Sequence, residues 1–541
     1  MLSRVEERFP TRSYPYRIVD QEAEGGGEAT DHPLPANTLH RFVQGLDSHP
    51  RPLDAEDAAR LGDPFARLLL GRGIFPLSLH ALLTELDRLN GDAAVGLPQQ
   101  RVFLAADGGQ IPWTPETDDL ARAFRFATAR GRNDDFRLLI SSSTVADGEE
   151  DHHFLQLIGW DEDNGVFHYY ERRGGTWIWA GNSHHALAPE TRGRGPFDSH
   201  VNGSLVMKEL RQPWVHWHAP AAGIPPEALA PDDPLRNDVL FQNRVTADQL
   251  ETTVVRPGIQ RWNRARLARA LRGDSTLTEA PFFFRQVLET TTVNLITTDH
   301  VSQLIGDADE ITLPITFFLD ADRLLDVLGL EPEIDNIRVS GRLYRNSLDR
   351  YDVHRTDGRH RIEGDTHFAF MIPEPAFEDT DVLGMLVRRG ILTPRFAACL
   401  LMVDFPNPVF SQQRAALLPY VPETVRVSDL EERFLAAVRA ATGATAADSP
   451  ERQLLAHWAL GAEAWKQEFE QRILSYVSAL AAQAATEAGF DSFVRLAESR
   501  RRTFRRRPLA EFRLTTPITN IPEDAPALRM RADGTIEEIH L

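Results

Sequence analysis

Apolar residues recur every three to four positions in one stretch of the last quarter of the chain. The steps are 4, 4, 3, 4, 4, 4 and 3 through Leu454, Trp458, Ala462, Trp465, Phe469, Ile473, Val477 and Leu480. A mean step near 3.7 places all of these side chains on one face of a helix. The pattern therefore predicts one long amphipathic helix whose apolar stripe packs on a core or on a partner.

Shorter helices are predicted at five places upstream, at about 55–70, 77–89, 114–129, 247–271 and 282–304. Thr114-Pro115 is a good helix start, because threonine can cap the first turn and proline suits its first position. Pro257 falls inside the fourth segment and is expected to break or kink it, since proline lacks a backbone donor.

Short runs typical of β-strands lie between residues 137 and 180, at 137–141, 153–160, 166–172 and 176–180. Two strong turn signals, Asp161-Glu-Asp-Asn-Gly165 and Arg173-Gly-Gly175, separate the last three runs. These three are therefore predicted to form an antiparallel meander. Two further runs, at 337–344 and 366–371, resemble strands of a second mixed region.

The segments together predict an α+β protein of several modules, because 541 residues exceed what one hydrophobic core accommodates. An antiparallel β-rich region (about 136–220) and a mixed region (about 311–373) lie among extensive helical segments. The expected modules are an extended or partly disordered arm (1–50), a helical N-terminal region (51–135), a histidine- and tryptophan-rich β region (136–224), a helical region (225–308), a mixed region (309–376), a helical C-terminal region (377–507) and a tail (508–541).

The composition is that of a soluble globular protein, with 42% apolar and 26% charged residues. A formal net charge of −20 disfavours sequence-independent binding to a phosphate backbone. No run approaches 18 uninterrupted apolar residues, and the first ten residues lack the apolar core of a secretory signal. We therefore expect a cytoplasmic protein that binds neither nucleic acid nor a membrane.

Arginine dominates the basic residues, since Lys208 and Lys466 are the only lysines. A GC-rich bacterial genome explains this bias. Six arginines crowd into the eight residues 500–507. With an acidic chain around them, a solvated helix end or a clamp on the protein's own acidic surface is favoured over a nucleic-acid patch.

Histidine and tryptophan are concentrated in one window of the sequence. Eight of the 18 histidines and five of the nine tryptophans fall between His152 and His218. Imidazoles titrate near neutrality and ligate metals, while indoles provide large flat walls with one donor each. Any chemistry of this chain is therefore expected in the window.

The best candidate metal ligands are His216 and His218. On a strand, both imidazoles lie on one face, about 6.6 Å apart along the chain, and can converge on one ion. His200 and His168 are weaker candidate ligands. Two hydrogen-bonded surface or core histidines explain the His-x-His spacing at least as well.

A cofactor is suggested by Pro196-Phe-Asp-Ser-His200, which keeps the frame of the c-type haem motif Cys-x-x-Cys-His without its cysteines. Covalent attachment is excluded, but His200 could ligate a non-covalent haem, with Lys208 or another histidine of the window as the opposite ligand. Trp177 and Trp179 share one strand face and could wall a flat cofactor. An ordinary aromatic core explains them equally well.

Candidate catalytic groups lie in the same window. Tyr169 and Glu171 share one strand face and could hydrogen-bond to a substrate, or simply cover the sheet. Glu171 or Asp198 could act as a base toward a metal-bound water. The motifs of serine hydrolases and of phosphate-binding loops are missing from the sequence.

Three classes of function follow. The favoured class is a metal- or haem-dependent oxidoreductase, with iron as the preferred metal, acting on a small apolar or aromatic molecule in bacterial specialised metabolism. The second is a zinc-dependent hydrolase or lyase that uses the same ligands. The third is a non-catalytic binding or scaffold protein, in which the window is a core and the helical C-terminal region meets a partner or a second copy of the chain.

Overall fold

The chain has an α+β fold. A computed structural model describes residues 34–91, 96–106, 124–143, 155–205, 229–245, 248–296, 305–357, 360–363, 372–444, 446, 448–506 and 517–539. Within these ranges it contains one eight-stranded sheet, five two-stranded sheets and sixteen α-helices.

The large sheet organises the N-terminal half. Its strands are β1 (Leu39–Arg41), β2 (Arg51–Pro52), β3 (Gln99–Ala106), β4 (Phe124–Arg132), β5 (Asp135–Ser143), β6 (Leu155–Asp161), β7 (Val166–Arg173) and β8 (Thr176–Asn182). Their order in the sheet is β2-β1-β8-β7-β6-β5-β4-β3. β1 pairs with β8 in parallel, and every other neighbouring pair is antiparallel. The strands β3 to β8 thus form one continuous meander.

The remaining strands are β9 (Thr276–Thr278), β10 (Val293–Ile296), β11 (Glu310–Thr312), β12 (Arg338–Ser340), β13 (His354–Asp357), β14 (His360–Glu363), β15 (Ile372–Pro375), β16 (Thr424–Arg426), β17 (Ala527–Met530) and β18 (Ile536–Ile539). They form antiparallel pairs, β9 with β16, β10 with β15, β11 with β12, β13 with β14 and β17 with β18.

The α-helices are α1 (Ala55–Ala59), α2 (Pro64–Leu68), α3 (Leu79–Arg88), α4 (Ser183–Leu187), α5 (Val239–Gln242), α6 (Asp248–Leu250), α7 (Arg256–Ala270), α8 (Ala280–Leu288), α9 (Gly341–Arg350), α10 (Phe377–Arg388), α11 (Pro394–Leu401), α12 (Gln412–Ala415), α13 (Leu430–Ala441), α14 (Pro450–Trp458), α15 (Gly461–Ala484) and α16 (Glu487–Arg505). Two π-helical turns occur at Glu251–Val255 and Asp322–Val327. In the described part of the chain, no helix combines the length and apolar character that crossing a membrane requires.

Several helices begin where side chains satisfy the first backbone donors. Asp63 accepts from the amides of Phe65 and Ala66 before α2, and Thr393 accepts from the amide of Phe396 before α11. A proline follows each cap, at the first helical position, where its missing N–H is not needed. Capping chemistry in the sequence thus sets these starts.

The predicted meander is confirmed as β6, β7 and β8, and the run at 137–141 is β5. The helix predicted at 114–129 is wrong from Phe124 onward, because β4 begins there. β4 is paired on both sides, and residues 126–131 are all buried. Continuous burial removes the two-residue alternation by which a strand is recognised in a sequence. The region 51–135, expected to be helical, therefore contains strands that the pattern did not indicate.

The other helices predicted from the sequence are confirmed over part of their length. The segment at 55–70 is divided into α1 and α2, and the segment at 77–89 is α3. Pro257 lies in the first turn of α7, directly after a π-helical turn, where it is tolerated. The helix predicted at 282–304 is wrong from Glu289 to Ile296, since α8 ends at Leu288 and β10 pairs with β15, and residues 297–304 lie outside the described ones. The strand predicted at 337–344 is limited to β12, because Ser340 caps α9, and the run at 366–371 lies outside the described residues.

The predicted long C-terminal helix is wrong as one element, because the structure has α14 and α15. Gly461 has a φ of 81°, a left-handed conformation that glycine adopts at low cost and that turns the chain between the two helices. Most of the apolar stripe is still core, with these residues buried: Leu454, Phe469, Ile473, Val477 and Leu480.

The first three arginines of the cluster at the end of α16, Arg500 to Arg502, are buried, so a solvated helix end is wrong for them. The alternative, a clamp on the protein's own acidic groups, holds in part, because Arg501 and Arg505 pair with Glu498. Arg500 donates to the carbonyl oxygen of Phe317, and Arg502 donates to that of Pro526 at 3.1 Å. Residues 517–539, part of the expected tail, include the β17–β18 hairpin, and β17 packs on α16. Backbone carbonyl oxygens therefore take the place of water as acceptors for Arg500 and Arg502.

Candidate functional site

The structure places only some of the predicted site residues. Lys208, His216 and His218 lie outside the described residues, so the proposed ligand pair stays a prediction. The described ones are His168, Tyr169, Glu171, Trp177, Trp179, Asp198 and His200.

The two tryptophans of β8 belong to the core between the sheet and α2. Trp177 is fully buried, its Nε1 donates to the carbonyl oxygen of Pro76 at 2.9 Å, and its ring contacts Phe65 with centroids 4.7 Å apart. Tyr170 packs on the same Phe65 ring from β7. Trp179 is also buried, and its Nε1 donates to a histidine. These contacts form an aromatic layer inside the protein.

His168 has both ring nitrogens engaged. Its Nδ1 accepts from Nε1 of Trp179 at 3.0 Å, so the neutral ring carries its proton on Nε2. That Nε2 lies 3.2 Å from Oδ2 of Asp161, to which it donates. In this arrangement neither nitrogen of His168 is available to a metal ion.

Asp161, at the end of β6, is a fully buried acceptor. Its carboxylate accepts from the backbone amide of Gly62 at 2.8 Å and from the side-chain amide of Asn164 at 2.6 Å, in addition to His168. Burial alone raises the pKa of this carboxyl, but the hydrogen bonds from His168, Asn164 and Gly62 outweigh burial and hold the pKa well below its ordinary value. Asp161 is therefore charged at neutral pH.

Asp63 is the second buried carboxylate of this region. Besides capping α2, it accepts from the hydroxyl of Tyr170 at 2.5 Å. Burial raises the pKa of Asp63, against the lowering effect of nearby His168. A Cβ added at Gly159 would lie 2.5 Å from Oδ1 of Asp63, so glycine is required there. Asp63, Asp161, His168, Tyr170 and Trp179 are called the sheet network below.

His200 has a different environment. Its Nδ1 donates to the carbonyl oxygen of Ser204 at 2.9 Å, and the hydroxyl of Tyr169 donates to the same oxygen at 3.1 Å. Burial lowers the pKa of His200 to about 4, so the ring is neutral at pH 7. With the proton on Nδ1, the lone pair of the ring is on Nε2, the nitrogen that a metal would use.

The predicted catalytic carboxylates are each engaged locally. Glu171 forms an ion pair with Arg173 at 2.7 Å, and Asp198 accepts from the hydroxyl of Ser199 at 2.9 Å. Tyr169 is buried and directed at Ser204. The described contacts therefore do not bring Tyr169 and Glu171 together on a substrate.

A second buried polar cluster lies at the first turn of α10, and the sequence patterns did not reveal it. Glu378 and Asp379 lie in that turn, Asp381 follows in the next, and all three are buried. Asp379 accepts from the hydroxyl of Thr291 at 2.6 Å and from the side-chain amide of Gln286 at 3.1 Å. Carboxylates in a first turn are stabilised by the positive end of the helix dipole.

One asparagine joins this cluster to the loop that carries His200. The side-chain amide of Asn202 donates to Glu378 at 2.7 Å and to Thr291 at 2.9 Å. Its backbone carbonyl oxygen accepts from Nε1 of Trp262, on α7, at 2.7 Å. Buried hydrogen bonds therefore connect the loop that carries His200, which follows the large sheet, to the helices α7 and α10.

Two buried guanidinium groups face the carboxylates of α10. Arg323 pairs with Asp320. Arg266 donates to Gln286, and its Nε and Nη1 make no hydrogen bond with any described residue. Burial raises the pKa of Asp379 to about 6, although Arg323 and the hydrogen bonds lower it in part. Asp379 therefore titrates close to neutral pH.

Asp379→Asn is expected to remove a decline in stability between about pH 4 and pH 6. The folded pKa of about 6 lies above the ordinary value of 3.8, so the stabilising effect of the proton is complete below pH 3.8 and is lost as the pH rises through 6. The lost free energy is roughly 3 kcal/mol. Urea unfolding at pH 4 to 7 measures it, with Asp335→Asn at an exposed position as the control. An unchanged pH slope in Asp379→Asn would contradict the assignment.

A cleft of about 470 Å³ lies beside this cluster. Its lining residues are Arg256, Asp322, Asp326, Val327, Phe377, Thr380, Gly384, Val387 and Arg388. Those of α10 recur at helical spacing and form one face of that helix, while the buried carboxylates Glu378 and Asp379 lie between them in sequence. α10 thus separates the cleft from the buried cluster.

The second π-helical turn lines the cleft, and the first ends at the residue before Arg256, which also lines it. Arg256 directly follows the turn Glu251–Val255, and three lining residues belong to the turn Asp322–Val327. A π-helical turn is less favourable than an α-helical turn, and such turns occur frequently at functional sites. A π-helical turn in the lining and a second one that ends next to it single this cavity out as the candidate site.

The cleft contains aromatic, charged and hydroxyl groups. The guanidinium of Arg256 lies 4.4 Å from the centre of the Phe377 ring and pairs with Glu251. The guanidinium of Arg388 is 3.9 Å from the carboxylate of Asp381. The hydroxyl of Thr380 has no hydrogen-bond partner among the described residues. Such groups can orient a small polar molecule.

No group of three histidine, cysteine, aspartate or glutamate side chains that could hold a metal ion occurs among the described residues. Comparison with known proteins adds no further guide to the site. No protein-family model, no curated protein and no solved structure matches this chain.

Proposed function

We propose that the protein binds a small polar molecule in the cleft between α10 and the second π-helical turn. The observation that carries this proposal is that one π-helical turn lines this cavity and the other ends directly before Arg256, a further lining residue. The volume of about 470 Å³ falls within the range of small-molecule sites. Guanidinium, carboxylate and hydroxyl groups around an aromatic ring supply the polar contacts that fix a ligand's orientation.

Binding rather than catalysis is the function that these groups support. The lining contains neither a thiol nor an imidazole, the groups best suited to act as nucleophile and as base near neutral pH. The proposal therefore develops the third class derived from the sequence, a non-catalytic binding protein, with a small molecule as its partner.

Filling the cleft is expected to abolish ligand binding. We expect some members of a panel of small charged metabolites to raise the melting temperature of the wild type, since a ligand at 100 times its Kd adds about 2.7 kcal/mol of stability. Val387→Trp fills the cleft and should remove this response. Val239→Trp, at a residue that is 57% exposed and outside the cleft, is the matched control. If Val387→Trp responds to the same metabolites as the wild type, the proposal is wrong.

A metal- or haem-dependent oxidoreductase is the second candidate. One observation favours it, the neutral His200 ring with its lone pair on Nε2. His200 would be one ligand, and Lys208, His216 and His218, farther along the sequence, are the other candidates. A bound iron would supply open positions for oxygen and substrate. The zinc-dependent hydrolase rests on the same ligands and gains no separate support.

Elemental analysis and an absorption spectrum of the same purified sample test this second candidate. It predicts stoichiometric metal or a Soret band that His200→Ala removes and that His49→Ala, at an exposed histidine, retains. Wild-type protein with neither feature would rule it out.

The cytoplasmic location, the lack of nucleic-acid binding and a homo-oligomer formed through the helical C-terminal region also stay predictions. The exposed side of α15 includes Glu463, Gln467, Glu468 and Gln471. Polar side chains of this kind favour contact with water over a tight apolar interface.

A further inference from the structure

The lining of the cleft carries both signs of charge in equal number. Arg256 and Arg388 contribute two guanidinium groups, and Asp322 and Asp326 contribute two carboxylates. The formal charge of the lining is therefore zero. A ligand of one sign alone meets like charge as well as opposite charge in this cleft.

The two arginines are held to different degrees. Arg256 is fixed by its ion pair with Glu251 and by the ring of Phe377. The side chain of Arg388 is 68% exposed, and its nearest carboxylate, that of Asp381, is 3.9 Å away. Arg388 can therefore turn toward an anionic group without losing a close ion pair.

Asp326 offers the complementary negative charge. It is exposed, and its carboxylate forms no hydrogen bond or ion pair with any described residue. Residues 322 and 326 lie about one turn apart in the second π-helical turn and both line the cleft. An ammonium group could therefore pair with Asp326 without displacing another partner.

We propose that the ligand of this cleft is a small zwitterion, whose anionic group binds Arg388 and whose ammonium group binds Asp326. This inference rests on the proposed function and narrows it to one chemical class, that of amino acids and phosphorylated amino alcohols. Each ligand charge then meets an opposite charge, and the unpartnered hydroxyl of Thr380 is a further contact for the ligand's polar atoms. The ring of Phe377 supplies the apolar wall.

Calorimetric titration with matched probes tests the class. The probes are ω-amino acids from glycine to 6-aminohexanoate and phosphoethanolamine, each compared with its analogue without the amine and with its analogue without the acid. The best zwitterion should bind at least about tenfold more tightly than either of its analogues, since one charge-assisted contact contributes about 1.5 kcal/mol or more.

Charge-removing variants assign the two ends of the ligand. Arg388→Gln should weaken zwitterion and anion binding about tenfold and leave amine binding unchanged. Asp326→Asn should weaken zwitterion and amine binding and leave anion binding unchanged. Arg389→Gln and Asp335→Asn, at exposed residues outside the lining, are the matched controls.

The outcomes distinguish an error in the ligand class, the zwitterion, from an error in the binding site, the cleft. If an anion or an amine binds as tightly as its zwitterion, or if no zwitterion binds, the class is wrong. The cleft proposal then still stands if Val387→Trp abolishes the binding of whichever metabolite stabilises the wild type. If Val387→Trp changes no binding at all, both are wrong.

Discussion

Asp161→Ala is expected to lower the free energy of unfolding by about 3–5 kcal/mol. The substitution removes a fully buried carboxylate that accepts hydrogen bonds from Gly62, Asn164 and His168. The Nε2 donor of His168 would remain buried without an acceptor, which costs more than its hydrogen bond contributes, and the amides of Gly62 and Asn164 would lose their shared acceptor. Urea unfolding followed by tryptophan fluorescence measures the effect, because Trp177 and Trp179 lie in the adjacent aromatic layer.

Asp163→Ala is the matched control, since it lies in the same turn as Asp161. Its carboxylate is 66% exposed and pairs with Arg67 at the surface, so its removal should cost less than about 1 kcal/mol. The pKa of Asp161 is lowered in the folded state, so its contribution is complete above the ordinary pKa and is lost as the pH falls below it. Equal costs for Asp161→Ala and Asp163→Ala would show that the sheet network does not stabilise the fold.

Arg501→Met is expected to lower the free energy of unfolding by about 3 kcal/mol. Nε and Nη2 of Arg501 donate to one carboxylate oxygen of Glu498 at 2.9 and 2.8 Å, and both side chains are almost fully buried. The substitution leaves the Glu498 carboxylate in the interior. The expected cost is at the low end of the range for a broken buried pair, because Arg505 still donates to Glu498 at 2.7 Å. The same urea titration measures it.

Arg472→Met provides the comparison on an exposed pair of the neighbouring helix α15. Arg472 and Glu468 are 37% and 46% exposed, and the loss of such a pair costs less than about 1 kcal/mol. The double substitution Arg501→Met with Glu498→Leu should recover part of the stability, since no buried charge is left unpaired. A cost for Arg501→Met no larger than that of Arg472→Met would contradict the burial of this pair.

Much of the secondary structure could be predicted from the sequence, wherever local signals act alone. The turn signals at 161–165 and 173–175 delimit β6, β7 and β8 correctly, since glycine and asparagine favour tight turns. β4 escaped prediction because its burial on both faces removes the alternation. The break before α15 escaped because the apolar stripe continues across Gly461, and its φ is a property of the folded chain.

The candidate site could not be predicted from the sequence. Its lining comes from three separate segments, around Arg256, at 322–327 and at 377–388, and none of them carries a motif. The histidine and tryptophan window differs from the rest of the chain in composition, and composition does not show which side chains are free to bind a ligand. In the described part of the window, Nε1 of Trp179 donates to Nδ1 of His168. Two residues that were expected to hold a metal or a cofactor thus form core contacts. Only the folded structure shows which polar groups already have partners.

Hydrogen–deuterium exchange, with and without a metabolite that stabilises the wild type, tests the central claim most directly. If the ligand binds in the cleft, the amides of Asp322–Val327 and Phe377–Arg388 should exchange more slowly in the complex. Those of β7 and β8, which lie in the aromatic core, should exchange at the same rate with and without the ligand. Slower exchange confined to β7 and β8, with no change at α10 or at the second π-helical turn, would contradict the claim.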